Sequence, residues 1–122
     1  MNRHQSRENA MVVIYQYLLL GSDIEELKDN FSKFENRDFF SFLINNVVHN
    51  LDILKEEISE HLTDWDFNRL NYVEQAILLI ATCELRLEEV ERAIVIDEAI
   101  NLCKKFSDEE SYRYVNGVLD KL

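Results

Sequence analysis

Apolar residues return along this chain at intervals of three and four, and the pattern is clearest near its end. Ile96, Ala99, Ile100 and Cys103 fall at i, i+3, i+4 and i+7, and Val115, Val118, Leu119 and Leu122 repeat that spacing. Each segment is therefore an amphipathic helix with one stripe to bury. Between them, Ser107-Asp-Glu-Glu110 has the form of a capping box, in which a serine hydroxyl and a glutamate carboxylate satisfy free amide protons at a helix start.

The same period predicts helices upstream. A first helix from about Arg3 to Leu20 places Ala10, Val13, Ile14, Tyr17 and Leu18 on its inner face and turns Tyr15 elsewhere. Ser22-Asp-Ile-Glu25 reads as a second capping box, opening a short helix through about Phe31 with Ile24 and Leu27 inward. Phe39, Phe40, Leu43, Val47, Leu51, Leu54 and Ile58 keep a period near 3.5 with no breaker, which predicts one long spine from about Arg37 to Leu62. Thr63-Asp-Trp-Asp66 offers N-cap chemistry for a short helix carrying Trp65 and Leu70. From Asn71, the residues Val73, Ile77, Ile80 and Ala81 form a stripe that Leu78, Leu79 and Leu85 widen, so this helix should be buried almost all round. The polar stretch from Arg86 to Arg92 then leads to the final pair.

Composition agrees with helices throughout. The chain has no proline and only 2 glycines in 122 residues, which removes most of the punctuation of hairpins. Its length and 47% hydrophobic content suit a single all-α domain over residues 1–122, with six to seven helices around one core. The apolar run Met11–Leu20 is interrupted by Gln16, lacks a small-residue cleavage site after it and is too short to span a bilayer. Cys83 and Cys103 sit on inward faces without a second cysteine or a histidine at metal spacing, as expected of reduced core thiols in a cytoplasmic protein.

Chemistry is sparse. No nucleophile motif, glycine-rich phosphate loop or metal spacing appears among the serines, cysteines and histidines, and the abundant carboxylates read as solvated helix faces. An enzyme is not expected, nor is a cofactor. The net charge of -11 opposes nucleic-acid binding unless cations cluster locally. They do so modestly: residues 1 to 20 carry Arg3 and Arg7 against Glu8, whereas residues 21 to 64 carry 4 basic and 11 acidic side chains.

Three blocks, in order, resemble the NusB family of bacterial transcription antitermination factors. They are Arg7-Glu-Asn-Ala with Tyr15, then Trp65, Arg69-Leu70 and Val73–Leu85, and finally Lys104-Lys-Phe106 with Tyr114-Val-Asn-Gly-Val-Leu-Asp120. The resemblance implies an all-helical fold of two small packed bundles, with the N-terminal helix embraced by the C-terminal half. It also implies partnership with NusE, a small-subunit ribosomal protein, and binding of the pair to the boxA element of nascent RNA within the elongating RNA polymerase complex. Carried over by position, Arg3, His4, Arg7, Lys104, Phe106 and Glu110 belong to the RNA side, and Tyr15, Glu74 and Tyr114 to the NusE side. Leu79 stands where many members carry Arg, Gln5 and Ser6 replace basic residues, and Asp97 replaces the usual Asn. Fewer cations release fewer counterions, so RNA affinity should depend on a basic partner.

Each position also has a plainer reading. Arg3 and Arg7, four apart on one helical face, can be ordinary surface. Tyr15 and Tyr114 can be core aromatics, and Glu74, Glu110, Lys104 and Lys105 can serve only the helix dipoles. Phe106 can stack on a base or close the core. The functional alternative is a NusE-binding interaction module with little RNA affinity of its own.

Overall fold

The computed structural model describes residues 1–62 and 66–122. The described residues form seven α-helices and a single 3-10 turn, with no strand: α1 (Arg3–Leu20), α2 (Ile24–Asp29), α3 (Asp38–His49), α4 (Leu51–Ser59), the 3-10 turn Phe67–Arg69, α5 (Tyr72–Leu87), α6 (Arg92–Phe106) and α7 (Glu109–Lys121). The all-α architecture expected from the periodicity is the one observed.

Local chemistry sets the boundaries, in several places one residue away from the sequence reading. α1 starts at a capping box that the apolar pattern did not reveal: the Asn2 side chain accepts from the Gln5 amide, and the Gln5 side chain accepts from the Asn2 amide. It ends at Gly21, whose φ of 65° is the left-handed C-cap that glycine adopts without a Cβ clash. Asp23, not Ser22, caps α2, its carboxylate accepting from Glu25. Likewise Asp108, not Ser107, caps α7 by accepting from the Ser111 amide at 2.8 Å; Ser107 is the residue that closes α6. A carboxylate one position downstream outcompetes the hydroxyl, because a charged acceptor makes the stronger bond to a free amide.

The predicted spine is two helices. Asn50, at φ -109° and ψ 22°, separates α3 from α4, and its side-chain amide donates back to the Asn46 carbonyl at 3.0 Å. Asparagine competes with the helical ladder in this way, and the apolar period on either side survives the break. Trp65 lies outside the described residues. Asp66 caps the 3-10 turn through the Asn68 amide, and Phe67 and Leu70 are buried there.

α1 and α5 form the axis. α1 packs most extensively against α5 and α3, and α5 in turn receives α4, α6 and α7, so an N-terminal group of α1 to α3 joins a C-terminal group built on α5. Every residue of α5 from Gln75 to Glu84 is buried, as its near-continuous hydrophobicity requires. The core also takes Val95, Ala99, Leu102 and Cys103 from α6 and Val115, Val118 and Leu119 from α7. The buried stripe of α6 is thus rotated from the sequence reading: Val95 and Leu102 are inside, and Ile96 and Ile100 only half-buried. Among the described residues no helix is long and apolar enough to cross a membrane.

Candidate functional site

α1 presents four ionisable side chains within its first two turns, and the fold commits three of them to partners. His4 Nδ1 lies 2.9 Å from Glu98 of α6, and Lys105, near the end of α6, donates to Glu8 at 2.7 Å. Arg7 goes deeper. Its Nε and Nη2 donate to the two carboxylate oxygens of Glu84 at 2.6 and 3.0 Å, and the residue is only 5% exposed. Arg3 is left with its guanidinium 3.8 Å above the Phe39 ring of α3 and no carboxylate partner among the described residues.

This arrangement corrects the reading of Arg7 as a surface cation for RNA. Four residues beyond Arg3, it has entered the α1–α5 interface, where a buried charge must be met by a hydrogen-bonded counter-charge. The signal for it was present in the sequence: Glu84 is an acid embedded in a helix apolar on all sides, and such an acid needs a cation. Leu79, at the position where the resemblance implies Arg, is fully buried in α5. Gln5 belongs to the α1 cap, and Ser6 is buried behind it.

A second focus lies where two helix starts meet. The N-termini of α5 and α7 and the 3-10 turn enclose an open groove of about 350 Å³, lined by Arg69, Leu70, Asn71, Glu74, Asp108, Glu110, Ser111 and Tyr114. Asn71 caps α5 through the Glu74 amide, and Glu74 returns a bond to the Asn71 amide at 3.1 Å. One carboxylate oxygen of Glu74 is therefore structural, which gives the helix-start reading of that residue its due. The groove brings together Glu74, Glu110 and Tyr114, which the sequence assigned to two different partners. It does not include Tyr15, which is half-buried against the core, or Phe106.

Phe106 is 39% exposed at the end of α6, with the Lys105 ammonium 5.4 Å from its ring; it does not close the core. Beside it, Lys104 lies 5.2 Å from the Tyr112 ring of α7 and stays exposed. Carboxylates at the groove accept hydrogen bonds from amino groups or cationic side chains and repel phosphates, while the rings offer flat faces. Arg3 and Lys104 are exposed and have no carboxylate partner among the described residues.

The thiols take no part. Burial, reinforced by the charge of Glu84, pushes the Cys83 pKa up to about 11, and burial with Glu74 pushes Cys103 to about 12. Thiols held this far above neutral pH are poor nucleophiles and poor metal ligands. Among the described residues no cluster of histidine, cysteine and carboxylate could hold a metal ion.

The fold and its surface define a helical protein with exposed aromatic rings and an acidic groove, and no metal cluster among the described residues, the features of a binding protein. The family model described as the NusB family matches residues 4–122. The transcription antitermination protein NusB of Sulfurovum sp. (strain NBC37-1) is 38% identical over 98% of this chain and 96% of its own length. A solved structure of T. maritima NusB superposes with a TM-score of 0.92 at 28% identity, covering 99% of this chain and 89% of that one. A crystal structure of the antitermination factors NusB and NusE in complex with dsRNA gives a TM-score of 0.86 at 30% identity, covering 99% and 96%. The chain belongs to the NusB family.

Proposed function

We propose that this chain is a transcription antitermination factor that pairs with NusE and, as that pair, binds boxA RNA in nascent ribosomal RNA transcripts. The full-length family match carries the reading: a similar protein has been solved together with NusE and RNA, and the identity spans the whole chain rather than one segment. Residues 1–122 act as one cytoplasmic domain, without catalysis, and the complex joins elongating RNA polymerase to suppress premature termination.

In this reading the surface divides by chemistry. Arg3, His4 and Lys104 face phosphates, and Phe106 offers its ring to a base. The acidic groove with Glu74, Glu110 and Tyr114 receives donor-rich groups, either base amino groups or basic side chains of NusE. Tyr15 extends the NusE side. Arg7 acts from within, holding α1 on α5 so that Arg3 is presented in a fixed place.

A second reading keeps NusE and drops intrinsic RNA affinity. It is favoured by the pairing of His4 with Glu98 and Lys105 with Glu8, which leaves few free cations on a chain of net charge -11. One titration separates the two. Labelled boxA RNA is titrated with the chain alone, with NusE alone and with both. Tight binding only in the mixture supports the proposed function; a NusE complex that adds nothing to the RNA affinity of NusE supports the second reading. If no NusE complex forms, both fail.

A further inference from the structure

Phe42 stands outside the hydrophobic core. It lies one turn after Phe39 on α3, is 36% exposed and does not belong to the apolar cluster, whereas Phe39 packs against that cluster. The two rings are nearly parallel, inclined by 22° with centroids 6.3 Å apart, so they form a stepped aromatic ledge. A single exposed Phe on a helix is ordinary. This one continues a column that begins with a cation: the guanidinium of Arg3 stacks 3.8 Å from the centroid of Phe39, and that of Arg7 lies 5.2 Å from the same ring.

Stacking uses the face of a guanidinium and leaves its edge free. Arg3 is exposed and has no hydrogen-bond or ion-pair partner among the described residues, so its N–H groups remain available while the Phe39 ring holds its Cζ in place. A planar donor fork held in this way suits a phosphate, and a flat hydrocarbon ring next to it suits an unpaired base. A protein partner would gain from Phe42 but has no comparable need for a phosphate-binding fork at the same step. Glu35 and Asp38 are the carboxylates nearest in sequence, both exposed; Glu35 precedes α3, and Asp38, four residues before Phe42, sits in its first turn on the Phe42 side, so the base is expected over the far part of the Phe42 ring, away from that charge.

We propose that Arg3, Phe39 and Phe42 form a nucleotide subsite for single-stranded RNA, in which Arg3 holds a phosphate and Phe42 stacks on an unpaired base. The subsite rests on the RNA-binding reading above and extends that surface from α1 onto α3. Phe39 is the positioning element: it orients the Arg3 fork and sets the height of the ledge.

The test compares boxA RNA binding by wild type, Phe42→Ala, Phe42→Leu and Phe42→Trp, each mixed with NusE, with melting curves run in parallel. Loss of a base–aromatic stack should weaken binding by roughly fivefold to a hundredfold in the Ala and Leu variants. Their salt dependence should not change, because a stacked ring releases no counterion, whereas Arg3→Ala should reduce the salt slope by about one. Phe42→Trp should retain affinity, and its added fluorescence over wild type should be quenched by RNA. An oligonucleotide with a single abasic site at the stacked position should bind the wild type and Phe42→Ala equally well. Equal RNA affinity of wild type and all three Phe42 variants overturns the subsite while leaving the RNA-binding function intact. Weakened NusE binding in the absence of RNA, with RNA affinity otherwise unchanged, overturns it in favour of a protein contact. If the wild type itself binds no RNA in the mixture, the functional reading fails first and the subsite with it.

Discussion

The Arg7 guanidinium and the Glu84 carboxylate meet at the α1–α5 interface with both partners almost fully enclosed. Removing one half of such a pair leaves an uncompensated buried charge, a loss of about 3–5 kcal/mol. Arg7→Ala should therefore lose about that much in urea unfolding, and Arg7→Met with Glu84→Leu should recover most of it, because two apolar side chains remove both desolvation costs. A loss below about 1 kcal/mol in the single variant, the range of an exposed ion pair, would show that the carboxylate finds water and that no clamp exists. The buried thiols give a second expectation at this scale. Cys83 and Cys103 hold their protons to about pH 11 and 12 in the fold but release them from about 9.0 in the unfolded chain. Between those values the native state binds more protons, so stability falls as pH rises, by up to about 1.4 kcal/mol per pH unit for each thiol. Replacing both with alanine should flatten the alkaline limb of the stability profile; an unchanged limb would assign it to other groups.

Helix starts decide the shape of the groove, since Asn71 and Asp108 cap the two elements that line it. Asp108→Ala should cost about 1 kcal/mol, the usual worth of an N-cap, whereas Ser107→Ala should fall within a few tenths, about the scatter of surface changes. Thermal melts of the two variants distinguish the observed cap from the one the Ser-x-x-Glu spacing suggested. The reverse ordering would restore Ser107 as the cap. The break at Asn50 belongs to the same scale. Both α3 and α4 keep apolar residues on one side of the interruption, and Phe40, Leu43, Val47, Leu54 and Ile58 all reach the core. A period can continue through a local kink, which is why the spacing predicted one helix where the backbone makes two.

For the molecule as a whole, net charge -11 sets the terms of association. An acidic chain meeting a basic partner gains association rate from complementary charge, and an aromatic anchor commonly carries about 2 kcal/mol or more of an interface. Tyr15→Ala combined with Glu74→Ala should abolish the NusE complex, leave a cooperative melt and reduce RNA affinity in the mixture to that of the separate proteins. The melt will drop modestly, because Glu74 also completes the α5 capping box. Loss of the cooperative transition would assign the pair to the core, and unaltered NusE binding would move the interface elsewhere.

The sequence by itself determined what repeats locally. Periods of three and four, the lack of proline and a solid apolar run in α5 are enough for an all-α chain, for the limits of α1 and, to within one residue, for the start of α5, which Asn71 caps. Three ordered blocks were enough for the family. Pairwise matters separated by tens of residues were decided only by the tertiary structure. Arg7 and Glu84 are 77 positions apart, and nothing in the spacing around Arg7 distinguishes a surface cation from a buried one. The groove gathers Glu74, Glu110 and Tyr114 because α7 folds its start against that of α5, a juxtaposition that one-dimensional periodicity does not encode. The Arg3–Phe39–Phe42 column arises in the same way, from α1 crossing α3. Helical period fixes which side of an element faces inward to within a residue or so, whereas the contact between two faces depends on the packing of every element between them.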